Sequence, residues 1–128
     1  MINYLLVALG SAVGGMARFG CANLTARWFG VTFPWGTLLV NIAGSLLIGV
    51  LFAMIPIDGR NWLTDDARAF LMIGLCGGFT TFSAFSIETF TMLRNGDWGW
   101  ATVYVGSSLV ACLAAVSLGY FAGMAMQR

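Results

Sequence analysis

The sequence predicts an all-α membrane protein that crosses the bilayer four times. Of its 128 residues, 59% are hydrophobic and 9% are charged, whereas soluble domains average about 45–50% apolar and about 25% charged residues. Uncharged stretches run over residues 1–17, 28–57, 69–87 and 98–127. Because a helix of roughly 20 apolar residues spans the ~30 Å hydrocarbon core, these stretches accommodate four transmembrane helices.

The four helices fill one transmembrane domain that covers residues 1–128. We place them at about 3–26, 34–55, 67–93 and 99–126. The first helix reaches residue 26 only if Arg18 is tolerated within it. Pro34 and Pro56 bracket the second helix, at ends where proline is acceptable. Thr64 is a suitable N-cap for the third helix, and Asn95-Gly96-Asp97 predicts a tight turn before the fourth.

The positions of the tryptophans and arginines indicate where the helices end in the bilayer and how the chain is oriented across it. Indole rings favour the headgroup level, and all five tryptophans fall at helix ends or in connections: Trp28, Trp35, Trp62, Trp98 and Trp100. Three arginines lie on the side of the termini and two or three on the other side. This near tie is expected of a chain that inserts in both orientations and pairs as an antiparallel dimer. Counting noise from so few charges explains it equally well.

Composition excludes several classes of function. The chain has no histidine or lysine, so histidine acid–base catalysis and histidine metal sites are excluded. A net charge of +1 gives no support for nucleic-acid binding. Cys21, Cys76 and Cys112 form no CxxC pair and lie in apolar segments, which favours a role as small buried hydrophobes. With no nucleophile–base set and no phosphate-binding loop, we predict that the protein is not an enzyme.

A polar stripe marks the second helix. Thr37, Asn41 and Ser45 are four residues apart and therefore share one helix face. Polar groups inside a membrane usually face protein or a water-filled cavity. The stripe is either a line of donors along a pore or a set of hydrogen bonds to a neighbouring helix.

The third helix contains an unusual stretch at residues 74–86, in which glycines precede clustered hydroxyl and phenylalanine residues. The adjacent Gly77 and Gly78 cost a helix about 2 kcal/mol relative to alanine. We predict a break near the bilayer midplane with free carbonyl groups. The alternative is close helix packing through Gly74 and Gly78, as for Gly10-xxx-Gly14 and Gly119-xxx-Gly123.

Other polar and aromatic residues follow helix faces. Phe82 and Phe85 share a face after the break, where positive ring edges could meet an anion or the rings could simply pack. Tyr104, Ser108 and Cys112 form a stripe on the fourth helix. Arg18 could reach the interface or raise the local anion concentration in a vestibule. Glu88 is the only acid within a span, so a proton relay is absent.

Three stretches together resemble the Fluc (CrcB) fluoride channels, small four-helix proteins of bacterial membranes. They are Gly14-Gly15-Met-Ala-Arg18-Phe19, Gly36-Thr37-Leu-Leu-Val-Asn41 with Gly44-Ser45, and Gly77-Gly78-Phe79-Thr80-Thr81-Phe82-Ser83-Ala84-Phe85-Ser86 with Glu88. The resemblance covers the whole chain. It implies a fluoride-selective channel in the bacterial cytoplasmic (inner) membrane, which protects against fluoride toxicity by passive efflux. It also implies an antiparallel, dual-topology homodimer with two pores, each lined by both subunits.

The resemblance also implies roles for particular residues. Asn41 would donate its amide to fluoride, and Phe82 and Phe85 would present ring edges along the pore. The other residues in or near the conduction path would be Thr37, Thr81, Ser83, Glu88, Tyr104 and Ser108, with Arg18 at the vestibule. The carbonyls of Gly77 and Thr80 from each subunit would bind a structural Na⁺ on the dimer axis. Cys112 stands where family members can carry a hydroxyl, which leaves its role open.

The ion's chemistry agrees with this interpretation. Fluoride is small and strongly hydrated, so a selective pore must replace its water shell with compact donors without trapping the ion. A single four-helix bundle has little room for a pore, which favours a dimer. One alternative is a small four-helix, dual-topology multidrug transporter subunit, but the first helix carries Arg18 and no acid. A structural membrane subunit would explain the glycine pairs but not the polar stripe together with the break.

Overall fold

The computed structural model describes residues 1–55 and 63–127, and all regular structure in these ranges is helical. Four spans are long and apolar enough to cross a membrane: Ile2–Phe29, Trp35–Ala53, Asp65–Arg94 and Trp98–Ala125. Each predicted helix end lies within three residues of the observed one. The prediction of an all-helical membrane protein with four spans is therefore confirmed.

The third span is made of several pieces. We label the uninterrupted spans α1 (Ile2–Phe29), α2 (Trp35–Ala53) and α6 (Trp98–Ala125); the third span contains α3 (Asp65–Arg68), a π-helical stretch (Ala69–Cys76), α4 (Gly77–Phe79) and α5 (Phe82–Arg94). The π-helical stretch was not predicted. Thr80 and Thr81, between α4 and α5, have extended backbones with ψ of 158° and 115°. The predicted break is thus confirmed and lies near the middle of the span.

The two threonines at the break explain how one helix stops and the next starts. The amide and the hydroxyl of Thr80 both donate to the carbonyl of Cys76, each at 2.9 Å, and so close the end of α4. The hydroxyl oxygen of Thr81 accepts a hydrogen bond from the amide of Ala84 at 3.2 Å, which caps the start of α5. The hydroxyl cluster in the sequence therefore replaces backbone hydrogen bonds that the break removes.

The predicted helix ends have the expected local chemistry. Thr64 accepts a hydrogen bond from the amide of Ala67 at 3.2 Å. In the turn before α6, Gly96 has a φ of 85°, a left-handed conformation that favours glycine. Pro34 is the N-cap of α2, whereas the predictions for Pro56 and Trp62 lie outside the described residues.

The spans pack mainly as two pairs, α2 with α6 and α1 with residues 65–79. Glycines allow this close approach. A Cβ at Gly10 would lie 2.9 Å from the amide nitrogen of Leu75, and one at Gly123 would lie 2.8 Å from the carbonyl oxygen of Val50. Gly78 likewise contacts the backbone of Ser11. The packing interpretation is confirmed for all three glycine pairs, and in the third span it coexists with the break.

The lipid-facing surface and the cysteines follow from the same packing. Large apolar side chains are exposed along every span, as expected where lipid replaces water. All three cysteines are free. Cys76 is buried as predicted, but Cys21 and Cys112 are only partly buried, because each lies on a helix face that a neighbouring helix covers incompletely.

We predict that Gly10→Ala destabilises the fold by about 1–3 kcal/mol, since the added methyl group must push the backbones of α1 and the third span apart. Gly20→Ala is the matched control, because nothing lies within 4 Å of a Cβ at Gly20. The control should change stability by at most about 1 kcal/mol, in the favourable direction. Equilibrium unfolding in detergent micelles measures both, and equal stabilities would contradict the close-packing interpretation.

Candidate functional site

A cavity of about 380 Å³ lies beside the break, where α2, the third span and α6 meet. We call it the break cavity. Its lining includes these predicted site residues: Asn41, Gly77, Thr80, Thr81, Phe82, Phe85 and Ser108. Cys112 lines it as well. The fold thus brings residues from three separate sequence stretches to one cavity.

Asn41 is joined to the break by two hydrogen bonds. Its Nδ2 donates to the carbonyl oxygen of Thr81 at 3.1 Å, and its Oδ1 accepts from the amide of Thr81 at 2.8 Å. The hydroxyl of Thr81 also lies 3.2 Å from that of Ser83. Ser83 itself is exposed on the single chain. The α2 stripe therefore does hydrogen-bond a neighbouring helix through Asn41, one of the two alternatives that its spacing left open.

Glu88 accepts hydrogen bonds from two buried hydroxyl groups. Thr37 donates to Oε1 and Tyr104 donates to Oε2, both at 2.7 Å. The side chain of Tyr104 is completely buried. A carboxylate in a membrane requires such partners, because unpaired buried charge is costly. The three predicted polar residues form one cluster, in which both hydroxyl protons are committed to the carboxylate.

Two further cavities connect this cluster with the break. The arginine cavity, of about 340 Å³, is lined by Arg18, Thr37, Thr81 and Glu88 among others. The outer cavity, of about 390 Å³, is lined by Thr37 and Glu88 and extends to Asp97 at the start of α6. The break and arginine cavities share Thr81, and the arginine and outer cavities share Thr37 and Glu88. The three cavities therefore adjoin in turn along a path from the helix ends to the break.

The charged residues along this path are Arg18, Glu88 and Asp97. Arg18 and Glu88 line the same cavity, yet Arg18 forms no ion pair within the described part of the chain. Its Nε is buried and has no hydrogen-bond partner among residues 1–55 and 63–127. A cation that is not neutralised by direct contact raises the local concentration of anions. The arginine cavity is therefore suited to a negative ion despite the nearby carboxylate.

The rings of Phe82 and Phe85 line the break cavity, and Phe85 packs against Tyr104, which lines none of the three cavities. The ring centroids of Phe82 and Phe85 are 5.4 Å apart, and those of Phe85 and Tyr104 are 5.2 Å apart. Phe82 is 77% exposed on the single chain, although it borders the break cavity. The row of rings offers positive edges to an anion. Its outermost ring, Phe82, is left exposed by the single chain.

Ser108 is the remaining predicted donor in the break cavity. Its side chain is 7% exposed, and its hydroxyl has no partner in the part of the chain that the structure describes. A buried unpaired hydroxyl is uncommon in native proteins and calls for an explanation. Since Ser108 lines the break cavity, its hydroxyl is available to a polar guest there.

Sequence reasoning missed two parts of this site. Gly44 and Met72 also line the break cavity, and a Cβ at Gly44 would overlap the side chain of Thr80. Gly44 lies three residues after Asn41 and next to Ser45, on the same side of α2 as the polar stripe. This position was a signal that the sequence analysis could have used. Met72 lies in an ordinary apolar run of the third span, and nothing in its local sequence distinguishes it.

Comparison with known proteins gives a consistent family match. A family profile described as CrcB-like protein, Camphor Resistance (CrcB), matches residues 5–120. A fluoride-specific ion channel FluC of Opitutus terrae is 48% identical over 96% of this chain and 93% of its own length. The protein of the same name from Paramagnetospirillum magneticum is 44% identical over 100% of both chains. That from Methylocella silvestris is 44% identical over 99% of this chain and 97% of its own.

We predict that Tyr104→Phe lowers the free energy of unfolding by about 1.5–3 kcal/mol, since it removes a hydrogen bond to a charged group. In a Glu88→Gln background the same substitution should have a smaller effect. A double-mutant cycle of unfolding measurements checks this coupling. Tyr120→Phe is the control, because the Tyr120 hydroxyl has no hydrogen bond to a described residue. Additive effects of the first two substitutions would argue against the cluster.

Proposed function

The chain belongs to the CrcB family, and from this membership we propose that it is a fluoride-selective channel that lets fluoride leave the cell passively. It is a multi-pass inner-membrane protein with four helical spans. The observation that carries the proposal is the polar path through three connected cavities. Neutral donors, one arginine and the carboxylates of Glu88 and Asp97 line it. A series of weak sites is expected of a pore that binds an anion without trapping it.

The donors on the path fit a small, strongly hydrated anion. Asn41, with a second N–H on its amide, and the unpartnered Ser108 line the break cavity together with the rings of Phe82 and Phe85. Arg18 would attract the ion into the arginine cavity. Each contact is weaker than a direct ion pair, so a sequence of such sites supports fast passage.

We also infer that two copies form an antiparallel homodimer with two pores. The support comes from Phe82, which borders the break cavity but is 77% exposed on one chain. A second copy would cover this ring and close the side of the cavity that one chain leaves uncovered. The near tie of arginines between the two sides of the membrane agrees with opposite insertion of the two copies.

The carbonyl groups of Gly77 and Thr80 fit a bound Na⁺. Both residues line the break cavity, and neither carbonyl accepts a hydrogen bond from another described residue. The amide of Thr81, which would pair with Gly77 in a continuous helix, pairs with Asn41 instead. Hard carbonyl oxygens of an unwound segment suit Na⁺. When bound, the ion would supply fixed positive charge and hold the breaks of two copies together.

The proposal predicts rapid, electrically driven fluoride efflux from liposomes that contain the purified protein. After a potassium ionophore is added, a fluoride electrode should record efflux that chloride-loaded liposomes do not match. Size measurement in detergent should give a dimer. Absence of fluoride efflux from a folded dimer would overturn the proposed function.

Phe82→Ile should slow this efflux at least tenfold, because it removes an aromatic edge from the path while keeping an apolar side chain. Phe90→Ile is the matched control, since Phe90 lies on the same helix, is exposed, and borders none of the three cavities. The control should conduct at close to the wild-type rate. If Phe82→Ile instead prevents dimer formation, Phe82 is a packing residue.

Asn41→Ala should also reduce fluoride efflux at least tenfold, as loss of a hydrogen bond to an ion is worth about 1.5–3 kcal/mol. Ser117→Ala provides a control in a membrane span, because the Ser117 hydroxyl bonds only to its own helix, at the carbonyl of Leu113. Both variants are measured in the same liposome assay at equal amounts of folded protein. Normal efflux through Asn41→Ala would count against its place in the path.

A further inference from the structure

We propose that Asn41 is a positioning residue for the helix break: it acts through the backbone of Thr81, and this pairing aims its remaining N–H into the break cavity. The inference rests on the proposed function for its transport measurements only. It starts from two hydrogen bonds, 3.1 Å and 2.8 Å long, between one side-chain amide and both polar backbone groups of one residue.

The backbone of Thr81 has the geometry of a β-strand, with φ of −152° and ψ of 115°. In this conformation the N–H and C=O of one residue point to the same side, as they do toward a neighbouring antiparallel strand. The amide of Asn41 presents an acceptor and a donor side by side. It therefore pairs with both the N–H and the C=O of Thr81, as a neighbouring strand would. The described residues themselves contain no strand.

This pairing satisfies groups that the break would otherwise leave without partners. In a continuous helix, the amide of Thr81 would donate to the carbonyl of Gly77. Backbone groups at membrane depth must be satisfied inside the protein, because lipid offers no partners. Asn41 takes that role from α2, a separate helix, and so fixes the break against the body of the bundle.

The same pairing fixes which way the amide points. A rotated amide would place Oδ1 against the carbonyl of Thr81 and Nδ2 against its N–H, and both contacts would then be repulsive. One of the two N–H groups of Nδ2 is used on Thr81, and the other has no partner among the described residues. Since Asn41 lines the break cavity, a guest there meets an N–H that is already oriented.

The position of Thr81 also determines where the rings of Phe82 and Phe85 lie. Thr81 is the N-cap of α5, and Phe82 is the first residue of that helix. A shift of Thr81 moves the start of α5 and with it the rings of Phe82 and Phe85. Asn41 thereby influences selectivity through two routes, its own N–H and the placement of the aromatic edges.

A backbone substitution separates positioning from direct ion binding. Replacing Thr81 by its α-hydroxy acid exchanges the backbone N–H for an ester oxygen and leaves every side chain, including Asn41, intact. Because the ester also weakens the Thr80 carbonyl as a ligand, efflux is compared at a high Na⁺ concentration. We expect fluoride efflux per folded dimer to fall at least tenfold and the fluoride-to-chloride ratio to fall with it. Adding Asn41→Ala to the ester should lower efflux further, because it also removes the free N–H, but by less than the product of the two single effects. A role in stability alone would change the yield of folded dimer but not this ratio.

Hydrogen exchange provides a test that does not depend on transport. In Asn41→Ala, the Thr81 amide should exchange at least about tenfold faster, as expected when a hydrogen bond of about 1.4 kcal/mol is lost. Ser117→Ala, which removes a hydroxyl remote from the break, should leave this exchange unchanged.

Two results would overturn the inference. One is wild-type efflux and selectivity in the ester variant, which would leave Asn41 as a direct ligand only. The other is unchanged exchange of the Thr81 amide in Asn41→Ala. If the wild-type protein conducts no fluoride, the proposed function fails, and the exchange measurement still decides whether Asn41 holds the break.

Discussion

The structure depends on one constraint: backbone N–H and C=O groups inside a bilayer must find partners within the protein. A continuous helix meets this constraint by itself, whereas a break in the middle of a membrane span leaves some backbone groups without their helical partners. Here side chains next to the break supply hydrogen-bond partners for backbone groups. Thr80 donates to the carbonyl of Cys76, Thr81 caps α5, and Asn41 on α2 bonds to the backbone of Thr81. The carbonyls of Gly77 and Thr80 accept no hydrogen bond from another described residue.

A second constraint is electrostatic. In the arginine cavity, Arg18 and Glu88 line the same space without forming an ion pair, so an anion there meets opposite charges and a varied set of local dipoles. The two hydroxyl groups on Glu88 reduce the repulsion that its carboxylate would exert. An unpaired arginine alone would hold an anion tightly, and an unshielded carboxylate would exclude it. The pairing of both on one cavity avoids each extreme.

Sequence reasoning found the features that depend on composition. Apolar runs located the four spans, and the coincidence of Gly77 and Gly78 with clustered hydroxyl residues located the break. It could not find features that depend on which side chains meet. Nothing in the spacing of Thr37 and Tyr104 shows that both bond to Glu88, and the partner of Asn41 is 40 residues away. The π-helical stretch was also missed, since its residues form an ordinary apolar run.

The π-helical stretch has a consequence for how the chain can vary in length. Its hydrogen bonds join residues five apart, so each turn contains more residues than an α-helical turn. Removing one residue from Ala69–Cys76 would restore α-helical spacing and absorb the deletion before the break. The segments on both sides of the stretch would then keep their angular register, because the wider turns and not the flanking helices take up the deletion. A deletion in this stretch would therefore keep the break and α5 in register, although it would shift the part of the cavity lining that Met72 and Cys76 contribute.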